Sequence, residues 1–301
     1  MNAWIRYSLA AGGLLLPGVA MYLLFQHWNS HEAVFSSTFS FPWFAFLLVS
    51  ILMPLNWFLE VQKWRMLRQL DWKRAWGDVL AGQGLAMVSP NRIGDGVARV
   101  SRAPNEERIA AGSSFALGSA SQFLITLIAG SFALSCLPKL PLLQGFDSFL
   151  VVLAGTSSLA LLLLFFFPGL LSICLPESKF GTIAQHSFSL RIWLLLLSFA
   201  RYAIFSSQFA ILVVALSPEL LLLKVYACIG VTYLISSMVP ATVLGELGVR
   251  ESSAVIAFST LGNPGSALAA VALLWVINLG IPSLAGAIYI SRRTLFREAR
   301  L

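Results

Sequence analysis

The residues that could do chemistry in this chain are few, and they recur. Met87 to Arg99 reads M-V-S-P-N-R-I-G-D-G-V-A-R and carries Arg92, Asp95 and Arg99. Met238 to Arg250 reads M-V-P-A-T-V-L-G-E-L-G-V-R and carries Glu246 and Arg250, with Glu251 next in line. Both copies run Met-Val, four residues, Ile or Leu, Gly, an acid, three residues, Arg. The glycines Gly94 and Gly245, the acids Asp95 and Glu246, and the arginines Arg99 and Arg250 all stand 151 residues apart, half of the chain. Guanidinium forks match phosphate oxygens in a way that a point charge does not. Arg92, Arg99 and Arg250 are therefore candidate binders of an anion such as a phosphate. Asp95, Glu246 and Glu251 complete the candidate site, with the acids free to pair the arginines when no ligand is present. Ser89, Pro90, Gly94 and Gly96 in the first copy, and Pro240, Gly245 and Gly248 in the second, read as helix-breaking positions. A broken helix exposes backbone N–H groups at the positive end of its second half, which favours an anion. The competing reading is a pair of short interfacial loops whose charges are simply solvated.

The elements that must carry these segments are set by composition. Of 301 residues, 58% are hydrophobic and 11% charged, and the mean hydropathy is +0.82. A soluble domain is roughly 25% charged. The apolar runs are too long for barrel strands and do not alternate. The expected fold class is an all-α polytopic membrane protein, one integral membrane domain over 1–301. Six stretches are long enough to cross a bilayer: about 8–27, 42–59, 109–136, 148–175, 192–216 and 267–290. Shorter apolar stretches, about 75–89, 220–239 and 249–263, flank the two motifs. The run after Arg6 is read as a retained span, since no clear cleavage site follows it.

Lysine and arginine placement sets orientation. Loop 28–41 has none, whereas 60–78 carries Lys63, Arg65, Arg68, Lys73 and Arg74, and the tail carries Arg292, Arg293, Arg297 and Arg300. Both termini are expected in the cytoplasm, and the net charge of +7 reads as topology rather than nucleic-acid binding. Trp64, Trp72 and Trp76, with Trp57 just before them, make 60–78 an expected interfacial collar. Six spans keep this parity only if each motif region enters and leaves the membrane on one side. Shifting the first half by 151 residues lays span one on span four, two on five, and three close to six, with opposite directions. Two inverted repeats follow, about 1–140 and 141–301, each with one re-entrant segment, as in secondary transporters.

The S-P-N-R-I-G-D segment followed by Arg99, and the P-A-T-V-L-G-E-L-G-V-R-E segment, resemble the lysylphosphatidylglycerol synthase transmembrane region family, the flippase-like membrane proteins. That family shows S-P-G-R-x-G-E in the first segment and P-x-S-x-G-G-L-G-x-R-E in the second. This chain keeps Ser89, Pro90, Arg92, Gly94, Pro240, Gly245, Leu247, Gly248, Arg250 and Glu251. It departs at Asn91, Asp95 and Glu246. The resemblance implies transfer of a lipid with a charged head group between the leaflets of a bacterial-type cytoplasmic membrane: a phospholipid, an aminoacyl-lipid or a polyprenyl-phosphate-linked lipid. It covers the membrane part alone, so synthase activity is not expected. Membrane lipids are the expected partners, with a lipid-modifying enzyme or glycosyltransferase a further candidate.

No catalytic constellation and no cofactor or metal motif is read from the sequence. His27, His31 and His186 are scattered, and Cys136, Cys174 and Cys228 sit in or beside apolar runs without metal spacing. Two alternatives stay open: a membrane-embedded transferase acting on a lipid phosphate, and an accessory subunit of an envelope lipid-modifying enzyme.

Overall fold

A computed structural model describes residues 42–87, 89, 92–137, 147–173, 186–239 and 243–298; at 147, 171–173, 243–247 and 293–298 it describes the backbone alone. The expected first span, His27, His31, Cys174, Pro90, Asn91 and Pro240 lie outside these residues, as does the side chain of Glu246.

The described chain is helical, without strands. Its helices are α1 (Trp43–Arg68), α2 (Trp72–Ala86), α3 (Ile93–Ser101), α4 (Arg108–Cys136), α5 (Asp147–Phe166), α6 (Phe188–Leu216), α7 (Leu222–Met238), α8 (Val243–Phe258), α9 (Pro264–Trp275) and α10 (Ile281–Glu298). A π-helical turn, Val276–Gly280, joins the last two. Five helices are long and apolar enough to cross a membrane: Trp43–Arg68, Asn105–Cys136, Ser148–Phe166, Phe188–Leu216 and Pro264–Arg292. The chain is thus an all-α protein of the polytopic membrane class. The span expected over 148–175 is shorter than that, because Pro168 cannot continue the helix that precedes it.

Each motif sits in a helical hairpin. In the first, α2 and α3 pack side by side, joined through Met87–Arg92; in the second, α7 and α8 pack likewise, joined through 239–242. The breaks lie upstream of the glycines. Gly94 and Gly96 are inside α3, and Gly245 and Gly248 inside α8, so none of the four breaks a helix. Gly94 serves close packing instead. Its N–H donates to Ser89 Oγ at 2.7 Å, and a Cβ there would lie 2.2 Å from the Leu85 carbonyl oxygen. The turn is made at Arg92, whose φ of 56° is left-handed, a conformation that costs a non-glycine residue roughly 1 kcal/mol or more.

The expected loop over 60–78 is also corrected. Residues 60–68 continue α1 and 72–78 begin α2, leaving a turn at 69–71. Gln69, at φ 52°, ends α1, and Asp71 caps α2 by accepting from Arg74 N–H at 2.8 Å. Charge does not end a helix when tertiary partners take it up, and Lys63 and Trp64 are each only 2% exposed. What remains of the collar is Trp72, stacked on Phe58 at 5.1 Å and under Arg65 at 4.7 Å.

Two helix crossings bring the hairpins against distant spans, both through glycine. The α2 helix meets α10 where a Cβ on Gly84 would lie 2.8 Å from the Gly286 carbonyl carbon. The α4 helix meets α7 where a Cβ on Gly230 would lie 2.5 Å from Ala133 Cβ. Small residues let backbones approach where lipid supplies no hydrophobic drive between helices. The main core lies beside the second hairpin, where Phe209, Ile229, Phe258 and Ile277 are fully buried.

Candidate functional site

Between the hairpins lie two adjoining cavities of about 410 and 350 Å³. Arg92, from the first motif, and Arg250, from the second, line both of them. Asp95 and Arg99 line the larger. The structure therefore brings the two motifs to one space. Both volumes fall in the range of ordinary ligand pockets, roughly 300–1,000 Å³.

The centre of the polar lining is a residue the sequence reading passed over, Glu60 on α1. Its Oε1 lies 2.9 Å from Arg99 Nη1, and its Oε2 lies 3.8 Å from Lys63 Nζ and is hydrogen-bonded by Arg201 Nη1. One carboxylate thus serves three bases. Arg99 is also held bidentately by Asp95 one helical turn earlier, through 2.6 and 3.0 Å contacts. Its guanidinium lies between the rings of Trp64 and Phe115, 5.3 and 5.5 Å from their centroids. Lys63 Nζ donates to the Gly118 carbonyl at 3.1 Å. Arg201 Nε donates to Asn56 Oδ1 at 3.0 Å, and its Nη1 reaches Gln122 Oε1 at 3.4 Å. Arg92 has a neutral partner, Gln83 Oε1.

Counted over the described side chains that line the two cavities, five bases (Lys63, Arg92, Arg99, Arg201, Arg250) face two acids (Glu60, Asp95). Desolvated charges are costly unless paired, and Arg92, whose hydrogen bond goes to the neutral Gln83, is a base that an anion would pair. Glu251 is buried in α8, but it does not line either cavity. Among the described residues no three His, Cys, Asp or Glu side chains gather as a metal ion would need.

The larger cavity shares Arg92, Asp95, Phe115 and Ser119 with a third space of about 780 Å³, a side groove between α3 and α4. Ile93, Val97 and Val100 line that groove together with Ser101 and Arg108, and Ile93 and Val97 are 61% and 57% exposed. A cationic chamber and a groove with an apolar flank thus share one wall.

Of the expected site residues, Arg92, Asp95, Arg99 and Arg250 come together at the cavity. Asn56, Glu60, Lys63, Gln122 and Arg201 join them without having been expected. Arg201 had a readable signal, since it interrupts a long apolar run, and ionisable residues inside spans are by default functional candidates.

No known family model, curated protein or solved structure matches this chain.

Proposed function

We propose that this protein is a flippase-like translocator of lipids with an anionic head group, working in a bacterial-type cytoplasmic membrane with both termini in the cytoplasm. The observation that carries the reading is the shared wall between the cationic cavity and the side groove flanked by Ile93, Val97 and Val100. An amphiphile fits that pair of surfaces: head group among the arginines, chain between α3 and α4. A soluble anion has no use for the Ile93, Val97 and Val100 flank of the groove, and an apolar ligand has none for the arginines.

Two inverted halves belong to the same reading. In support, the first-half helices shifted by 151 residues fall at 223–237 for α2 and 244–252 for α3, against the observed Leu222–Met238 and Val243–Phe258. The long contacts also exchange partners as a two-fold would require. Each hairpin's first helix packs through glycine on the other half's last span, α2 on α10 and α7 on α4. A cavity formed at such an interface, with irregular backbone at its edge, is where repeat-built transporters hold substrate.

The test is lipid transfer in reconstituted vesicles. Arg250→Ala removes one cation from both cavities and is expected to lower transfer about ten- to a hundredfold below saturation, as loss of one charge-assisted hydrogen bond would. Normal transfer by a folded Arg250→Ala protein would remove the reading.

A further inference from the structure

We infer that the head group taken by the larger cavity carries a hydroxyl beyond its phosphate and that Asn278 reads it, so that the substrate is a lipid whose phosphate is esterified to a polyol. The inference rests on the lipid reading above and narrows it. It starts from a buried acceptor without a donor. Asn278 lies in the π-helical turn Val276–Gly280 and lines the larger cavity. It is 4% exposed, and its Oδ1 has no hydrogen-bond partner among the described residues. The amide is held one way round, because its Nδ2 donates to the Leu274 carbonyl at 3.4 Å and turning it over would set two oxygens against each other. The turn is held in place too: Trp275 and Leu279, on either side of Asn278, pack on Met87 at the end of α2. A buried acceptor left unpaired is destabilising, and π-helical turns are frequent at functional sites. Asn278 Oδ1 is thus set for a donor that the ligand brings.

The cavities indicate where on the ligand that donor belongs. Arg92 lines the side groove and both cavities, so it stands where they join, and its own hydrogen bond goes to the neutral Gln83. Asn278 lines the larger cavity but not the groove. With the chain along Ile93 and Val97 and the phosphate at Arg92, Asn278 meets the part of the head group on the far side of the phosphate. A phosphate monoester has nothing there. An ammonium there would bring three donors and a charge to one neutral oxygen, which leaves the charge uncompensated. A hydroxyl brings one donor and no charge, which is what the Asn278 oxygen lacks.

The experiment measures binding of dihexanoyl lipids to the full chain in nanodiscs of phosphatidylcholine, read by tryptophan fluorescence, since Trp57 and Trp64 line the cavity. The probes are phosphatidylglycerol, phosphatidylpropanol, phosphatidylethanolamine and the chain-free glycerophosphoglycerol. Phosphatidylpropanol is the glycerol phosphodiester with both head-group hydroxyls deleted, so the first two probes carry the same charge. Phosphatidylglycerol is expected to bind at least about fivefold more tightly than phosphatidylpropanol, as for one hydrogen bond to a buried acceptor, and phosphatidylethanolamine no better than phosphatidylpropanol. Asn278→Leu, of nearly the same shape, should bring phosphatidylglycerol down to the affinity of phosphatidylpropanol and leave the latter unchanged. Its melting temperature without ligand should hold or rise, because an apolar group replaces an unpaired acceptor. A variant that melts lower and weakens both lipids alike shows a structural amide and overturns the assignment. Equal wild-type affinity for the two phosphodiesters, which needs no variant, or a preference that survives in Asn278→Leu, overturns it as well, and each leaves the lipid reading in place. Phosphatidylethanolamine binding as tightly as phosphatidylglycerol makes the donor an ammonium and overturns the hydroxyl. Glycerophosphoglycerol binding as tightly as phosphatidylglycerol shows a soluble-anion site and overturns the lipid reading instead. Failure of every probe to bind overturns both.

Discussion

Two buried ion clusters lie close together in this protein and follow opposite rules. Asp78 on α2 faces one base, Arg102, at 2.5 Å, and takes the indole N–H of Trp64 on its other oxygen at 3.1 Å. Arg102 spends a further donor on the Tyr289 hydroxyl at 3.4 Å and lies over that ring. Acid and base are matched one to one, and neither lines the cavities. Glu60 instead divides its two oxygens among Arg99, Arg201 and Lys63 and borders the space between the hairpins. The first arrangement closes α2 against α10 and the turn after α3. The second keeps more positive charge than structure alone can use. A balanced cluster reads as a fastener, and an unbalanced one beside a cavity reads as a receptor.

The sharpest way to break this comparison is to remove the acid at the centre of each cluster. Glu60→Gln deprives three bases of their shared carboxylate and should cost roughly 3–5 kcal/mol, the range for breaking a buried pair. That loss should be partly recovered by a phosphate ligand, because a ligand at 100 times its Kd stabilises by about 2.7 kcal/mol. Thermal unfolding in detergent, with and without pyrophosphate, measures both terms. Asp78→Asn should cost about 3 kcal/mol, with the same melting temperature shift in either buffer. Recovery of Asp78→Asn by pyrophosphate, or none for Glu60→Gln, would erase the distinction.

Removing a base separates the clusters from the other side. Arg201→Gln takes away one surplus cation, and Asn56 and Gln122 remain to bond the substituted amide. Stability should change by less than about 1 kcal/mol, since Glu60 keeps Arg99 and Lys63. Anion binding should fall about ten- to a hundredfold, as for loss of one charged hydrogen-bond partner. Titration of a fluorescent phosphate lipid against the variant gives the second number, and a melting curve gives the first.

How far the sequence disclosed this arrangement depends on what kind of physics each part needs. The spans are a one-dimensional property, and their hydropathy placed Trp43–Arg68, Phe188–Leu216 and Pro264–Arg292 to within a few residues at most ends. The α1 helix is the exception, because its last turns are charged and carry the hydropathy of a loop. Hydropathy cannot see that Lys63 and Trp64 turn inward to partners on other helices. The duplicated motif placed Arg92, Asp95, Arg99 and Arg250, since its spacing is local. Glu60 was invisible for the opposite reason: its role exists only through Arg99 on α3 and Arg201 on α6, far along the chain. The glycines misled because glycine is ambiguous between breaking a helix and allowing contact. At Gly94 the nearby Leu85 carbonyl decides for contact.

The smallest expected effect lies at a third ion pair, which calibrates the other two. Arg68, at the end of α1, meets Glu107 at 2.5 Å, a shorter contact than Arg99 makes with Glu60. Distance alone would rank it among the strongest interactions in the protein. Its carboxylate, however, is 56% exposed, so water competes for the same charge and screens the pair. Exposed pairs are worth about 0–1 kcal/mol, and Arg68 borders no cavity that holds the site. Arg68→Ala should therefore move the melting temperature by less than about 2 °C, on the usual scale of a few degrees per kcal/mol, and leave lipid binding unchanged within twofold. The small shift that remains should shrink further in 1 M salt, where the screening length falls to about 3 Å, whereas the Glu60→Gln defect should persist there because its partners are buried. A loss of binding in Arg68→Ala comparable to that in Arg201→Gln would mean that net basic charge anywhere on the protein suffices, and that the convergence on Glu60 has no special part in holding the ligand.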